Sequence, residues 1–163
     1  MRIRVACAIG HGQTLLSSFD HALHRCGVHN YNLLALSSVI PPGSIVDIDS
    51  RYMPERDEHG DRLYVVKAEA RSNVAGSAIA AGMGWYQWGD GRGLFVEHEM
   101  VGNCADIART EVESLILQSL RDLCAVRAIP FDEHLVGMAT IADTVGQYPT
   151  TALAVAVYQS EPW

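Results

Sequence analysis

Two adjacent prolines, Pro41 and Pro42, constrain this chain more than any other feature. Neither can donate to a strand ladder, each fixes its own φ, and Pro41 pushes Ile40 out of the helical region. A strand that reaches Leu36 must therefore end there, and Ile40-Pro41-Pro42-Gly43 predicts a rigid extended loop behind Ser37-Ser38. The prolines divide the chain into a short first part and a longer remainder.

In the first part, Arg2 to Ile9 is β-compatible and breaks at Gly10-His11-Gly12, which predicts a strand and a loop. Thr14 can cap a helix whose apolar residues Leu15, Leu16, Phe19, Ala22, Leu23 and Cys26 recur at three- and four-residue intervals up to a stop at Gly27. Tyr31 to Leu36 reads as a second strand. Beyond the prolines, the charged stretch from Asp47 to Arg62 predicts an exposed loop. Leu63 to Ala70, Val74 to Trp88 and Leu94 to Met100 suggest an antiparallel meander, with Gly89-Asp90-Gly91-Arg92-Gly93 as its second turn. Asn103 and Asp106 signal the cap of the longest helix, whose stripe is Ile107, Val112, Leu115, Ile116, Leu120, Leu123 and Cys124. Leu135 to Thr144 and Ala152 to Gln159 complete the strands. This order describes an α+β protein, not a parallel doubly wound one.

A length of 163 residues suits one domain, and 48% hydrophobic against 19% charged residues is enough apolar surface to build a core. No window is apolar enough for a membrane span, and Met1-Arg-Ile-Arg-Val runs into strand-like alternation, not a signal peptide. A soluble, cytoplasmic protein is expected. The charge of -7, from 12 basic and 19 acidic residues, argues against nucleic acid and mildly favours a cationic small molecule. Cys7, Cys26, Cys104 and Cys124 lack metal or redox spacing and read as reduced thiols.

Three kinds of chemistry can be weighed. Gly89 to Gly93 is no phosphate loop, because the strand-like Leu94 to Glu99 follows it where a helix is required. His21 and His24 lie on an exposed helix arc and His98 points away from the face shared by Glu97 and Glu99, so no metal site is predicted. No GxSxG elbow marks a serine hydrolase. Ser37-Ser38 stands apart because the prolines lock it in a fixed bend at a strand end. Strain there favours attack of a hydroxyl on the preceding carbonyl.

Phe19-Asp20-x-Ala22-Leu23-x-x-Cys26-Gly27, Asn30-x-Asn32-Leu33, Leu36-Ser37-Ser38-Val39-Ile40-Pro41-Pro42 and Gly93-Leu94-x-x-Glu97-x-Glu99 agree in order and spacing with a known set. Through them the chain resembles the pyruvoyl-dependent arginine decarboxylase family, most densely over residues 12 to 43. The resemblance implies an αββα-type sandwich of the pyruvoyl-dependent histidine/arginine decarboxylase kind, assembled as a homotrimer with its active sites between protomers. It implies self-cleavage of the single domain between Ser37 and Ser38 into a β chain (residues 1–37) and an α chain (residues 38–163). Ser38 then becomes a covalent pyruvoyl group, whose ketone takes up the substrate amine and whose amide conjugation takes the electrons freed with carbon dioxide.

By the same resemblance Glu97 is the general acid, with Glu99 its acidic neighbour, and Asp20 binds a guanidinium. Leu16, one turn before Asp20, and Val39 contact the substrate, while Asn32 polarises the Ser37 carbonyl and later touches the substrate. His29 and Tyr31 are larger than expected near the substrate's far end. Three readings stand: arginine decarboxylated to agmatine, decarboxylation of another amino acid, or a non-processing relative that binds a cationic metabolite.

Overall fold

A computed structural model of the chain describes residues 1–54 and 56–163. Strands β1 (Arg2–His11), β2 (Asn32–Ala35), β4 (Ile45–Ile48), β5 (Arg62–Ser72) and β9 (Thr150–Glu161) form one sheet in the order β2-β5-β9-β1-β4. Strands β3 (Val39–Ile40), β6 (Ala78–Trp88), β7 (Arg92–Gly102) and β8 (Gly137–Thr144) form a second in the order β3-β7-β6-β8. Only β1 with β4 and β2 with β5 pair in parallel among the described residues.

The layers follow from side-chain periodicity. On β9, Ala152, Ala154 and Ala156 turn toward the other sheet, and Leu153, Val155 and Val157 turn outward. The outward set meets Ala22, Leu23 and Cys26 of helix α1 (Leu15–Cys26), and the inward set joins Ile3, Val5, Ile79, Met83 and Phe95 between the sheets. Helix α2 (Ala105–Val126) covers the outer face of the second sheet with Ala108, Val112, Ile116, Leu120 and Cys124. The result is an α+β protein with two sheets between two helices, and no helix is long and apolar enough to cross a membrane.

The first helix forms where its caps predict. Thr14 Oγ1 accepts from Ser17 N–H at 3.0 Å, Ser17 Oγ accepts from Thr14 N–H at 3.0 Å, and Gly27 ends the helix at φ 82°. Of the Gly89 to Gly93 segment, Gly89, Asp90 and Gly91 make the β6–β7 hairpin turn, and Arg92 and Gly93 already pair with Trp88 and Gln87.

Several expectations are corrected. The meander is broken: β5 lies between β2 and β9 in the first sheet, while β6 and β7 pair in the second. The charged stretch begins with a strand, because β4 pairs with β1 and sets Asp47 at 3.0 Å from Arg2 and Asp49 at 3.7 Å from Arg4. Cys104, not Asn103, caps α2, with no side-chain hydrogen bond. Ile107 and Leu115 lie at the exposed margin of the α2 stripe, and Ala108 takes the buried place.

Candidate active site

The site forms where the chain changes sheets. Leu36 N–H still donates to Val65 in the first sheet, at 2.9 Å, and two residues later Phe95 N–H of the second donates to the Ser38 carbonyl at 2.8 Å. Ser37 and Ser38 span the gap. Val39 and Ile40 then pair with Leu94 and Gly93 before Pro41 ends the ladder. Ser38 has φ 63°, a left-handed conformation disfavoured for a residue with a Cβ.

That turn delivers the Ser38 hydroxyl to Glu97, donating to Oε1 at 2.5 Å. Glu97 faces the inter-sheet layer because its partner across the hairpin, Met83, is a residue of that core. Glu99 follows on the same face, opposite Ala81, and is exposed. His98 turns the other way, as alternation requires, and its Nε2 lies 2.9 Å from Ser119 Oγ on α2. A cleft of about 460 Å3 opens here, lined among others by Ser37, Ser38, Glu97, His98 and Asp122.

A second group stands apart. Asp20 is exposed on α1, one turn after Leu16, which is 72% exposed. His29 packs its ring 4.5 Å from that of His24; burial, and then the charge of His24, hold its pKa below the ordinary imidazole value. Tyr31 donates to Glu58 at 2.8 Å, and burial together with that carboxylate holds its phenol well above the usual range. Asn32 Nδ2 donates to the Gly60 carbonyl at 2.6 Å. Of Leu16, Asp20, His29, Tyr31 and Asn32, none lines the Ser38–Glu97 cleft of its own chain.

The model of the family described as "Pyruvoyl-dependent arginine decarboxylase (PvlArgDC)" matches residues 2–162. The chain belongs to this family. A relative from Halobacterium salinarum named pyruvoyl-dependent arginine decarboxylase is 32% identical over 164 residues, covering 99% of this chain and 96% of its own. Relatives of the same name from Pyrococcus horikoshii and Thermococcus sibiricus are each 34% identical over 151 residues, covering 92% of this chain and 89% of theirs. Membership of a pyruvoyl-dependent family implies a covalently bound pyruvoyl group.

Two donors that hold the Ser38–Val39 backbone beside the cleft are invisible to motif reading. One is the Phe95 N–H, a backbone donor that no side-chain pattern encodes. The other is Tyr158, which is 7% exposed; its hydroxyl donates to the Val39 carbonyl at 3.2 Å. In the sequence Tyr158 is only the end of an apolar strand.

Proposed function

We propose that the chain cuts itself between Ser37 and Ser38 and decarboxylates L-arginine to agmatine. The observation that carries this reading is the Ser38 hydroxyl held at 2.5 Å from Glu97 on a left-handed backbone. Glu97 takes the hydroxyl proton as Ser38 Oγ attacks the Ser37 carbonyl carbon. The Ser37–Ser38 C–N bond breaks and an ester replaces it. Loss of the Ser38 Cα proton then expels the Ser37 carboxylate and leaves a double bond in residue 38, and water converts its enamine nitrogen to released ammonia. The products are a β chain of residues 1–37 and an α chain of residues 38–163.

The residues present fit a pyruvoyl group. Its amide carbonyl is already held by Phe95 N–H, and a carboxyl stands beside its Cβ position. A pyruvoyl group supplies an electrophilic ketone conjugated to an amide, which takes up the substrate amine and the electron pair freed with carbon dioxide. Phe95 N–H stabilises charge on the residue 38 carbonyl oxygen, and Glu97 returns a proton where the carboxylate departs. Phe95 and Tyr158, buried behind the site, keep water from its inner side.

Asp20 binds the guanidinium through two parallel hydrogen bonds, with Leu16 and Val39 against the methylenes and Asn32 beside the cleavage bond. Because the Asp20 group does not line its own chain's cleft, a complete site draws on two protomers. This supports an oligomer, which by the family resemblance we read as a homotrimer of αββα-type sandwiches of the pyruvoyl-dependent histidine/arginine decarboxylase kind, working in the cytoplasm. His29 and the Glu58-held Tyr31 close the far end and set the length of substrate accepted. Carbon dioxide release assayed across arginine, lysine, ornithine and acidic amino acids tests the assignment. Arginine should be the best substrate, and a higher kcat/KM for another amino acid would replace it.

A further inference from the structure

We infer that Tyr158 is a positioning residue for the reacting segment: its hydroxyl, donated to the Val39 carbonyl, holds residue 38 against Glu97 and Phe95 N–H before and after the chain is cut. The inference rests on the self-cleavage reading and adds to it a residue from the far end of the chain.

The ladder to β5 steps over Tyr158, and the ladder to β1 stops just before it. Toward β5 the register runs Tyr64 with Gln159 and then Val65 with Val157; toward β1 it ends at Arg4 with Val157. Tyr158 is thus the extra residue of a β-bulge, a device common beside active sites. Tyr158 keeps the inward direction of Ala152, Ala154 and Ala156 and sends its phenol across the inter-sheet layer, its ring centroid 6.1 Å from that of Phe95. A hydroxyl buried this deeply needs a partner, and it uses the carbonyl of Val39, the second residue beyond the scissile bond. Burial and then the nearby Glu97 charge hold the Tyr158 pKa well above the ordinary phenol value, so the group stays protonated and donating around neutrality.

The segment needs such a hold. Among the described residues its ladder pairs with β7 are two, Val39 with Leu94 and Ile40 with Gly93, with Phe95 N–H on the Ser38 carbonyl beside them. In the uncut chain Ser37 tethers residue 38 from the other side, but after cleavage residue 38 is a chain end and that tether is gone. Phe95 N–H then fixes the carbonyl of residue 38 and Tyr158 fixes the next peptide, which leaves the new terminus little freedom to swing from Glu97.

Tyr158→Phe keeps the ring and removes only the hydroxyl. The rate of self-cleavage, kcat and KM per cleaved chain, and the melting temperature of uncut Ser38→Ala chains with and without Tyr158→Phe are to be measured together. We expect cleavage and kcat each to slow about tenfold, the scale of one lost hydrogen bond, with KM for arginine unchanged. The two uncut chains should melt within about 4 °C of each other. Wild-type rates in Tyr158→Phe would overturn the positioning role. So would a larger melting loss accompanied by a matching change in KM, which would make Tyr158 merely structural. A wild-type chain that never cuts would instead overturn the self-cleavage reading itself, so the two failures are told apart.

Discussion

Ser38 and Ala128 are the two non-glycine residues with positive φ among the described residues, and only Ser38 carries a nucleophile. A left-handed residue with a Cβ costs roughly 1–2 kcal/mol, and here the neighbours that hold it are identifiable: Phe95 N–H on its carbonyl and Glu97 on its hydroxyl. Ser38→Ala keeps the backbone but has no oxygen to attack, so a denaturing gel should show only the intact 17.8 kDa chain; a chain that still splits at that bond refutes the scheme. Glu97→Gln can accept the hydroxyl's hydrogen bond but cannot carry its proton. Carbon dioxide release per cleaved chain should fall at least about 100-fold in that variant, and an unchanged rate would remove Glu97 from the mechanism.

At the scale of elements, the site depends on β7 being held in place from outside by α2 across β6. That contact is close: a Cβ on Gly84 of β6 would lie 2.1 Å from Ile116 Cγ2. Gly84→Ala should lower stability by about 2 kcal/mol, or roughly 4–8 °C in melting temperature; thermal denaturation reads this, and an unchanged midpoint would show that α2 yields at no cost. Local signals foretold the elements that local chemistry decides, the Thr14 to Gly27 helix and the hairpin turn that begins at Gly89; they ended the ladder at Leu36, whereas Val39 and Ile40 resume pairing with β7 before Pro41. They did not foretell β4, whose partner β1 lies more than forty residues earlier in sequence, or the slot that β9 fills between β5 and β1. Pairing across such separations is settled by register and packing in three dimensions.

For the whole molecule, the Ser-Ser-x-x-Pro-Pro block stood out in the residues themselves, whereas Glu97, which the structure sets beside Ser38, was named only by the resemblance. The resemblance also proposed Asp20 and Leu16 for the substrate, but no pattern could show that they fall outside the cleft of their own chain. That separation carries a prediction. Ser38→Ala chains should lack the ketone, and Asp20→Asn chains should lose about 10- to 100-fold in kcat/KM, the scale of a charge-assisted pair. Co-expressed, the two should assemble some sites with both functions intact and give more activity than the two parents summed; activity no greater than that sum would place the whole site within one chain. The mass of the purified, denatured protein should resolve into two fragments that meet between residues 37 and 38, the larger resistant to Edman degradation and reactive with hydrazines. A single uncut chain of 17.8 kDa with a free amino terminus and no carbonyl reactivity would contradict self-cleavage.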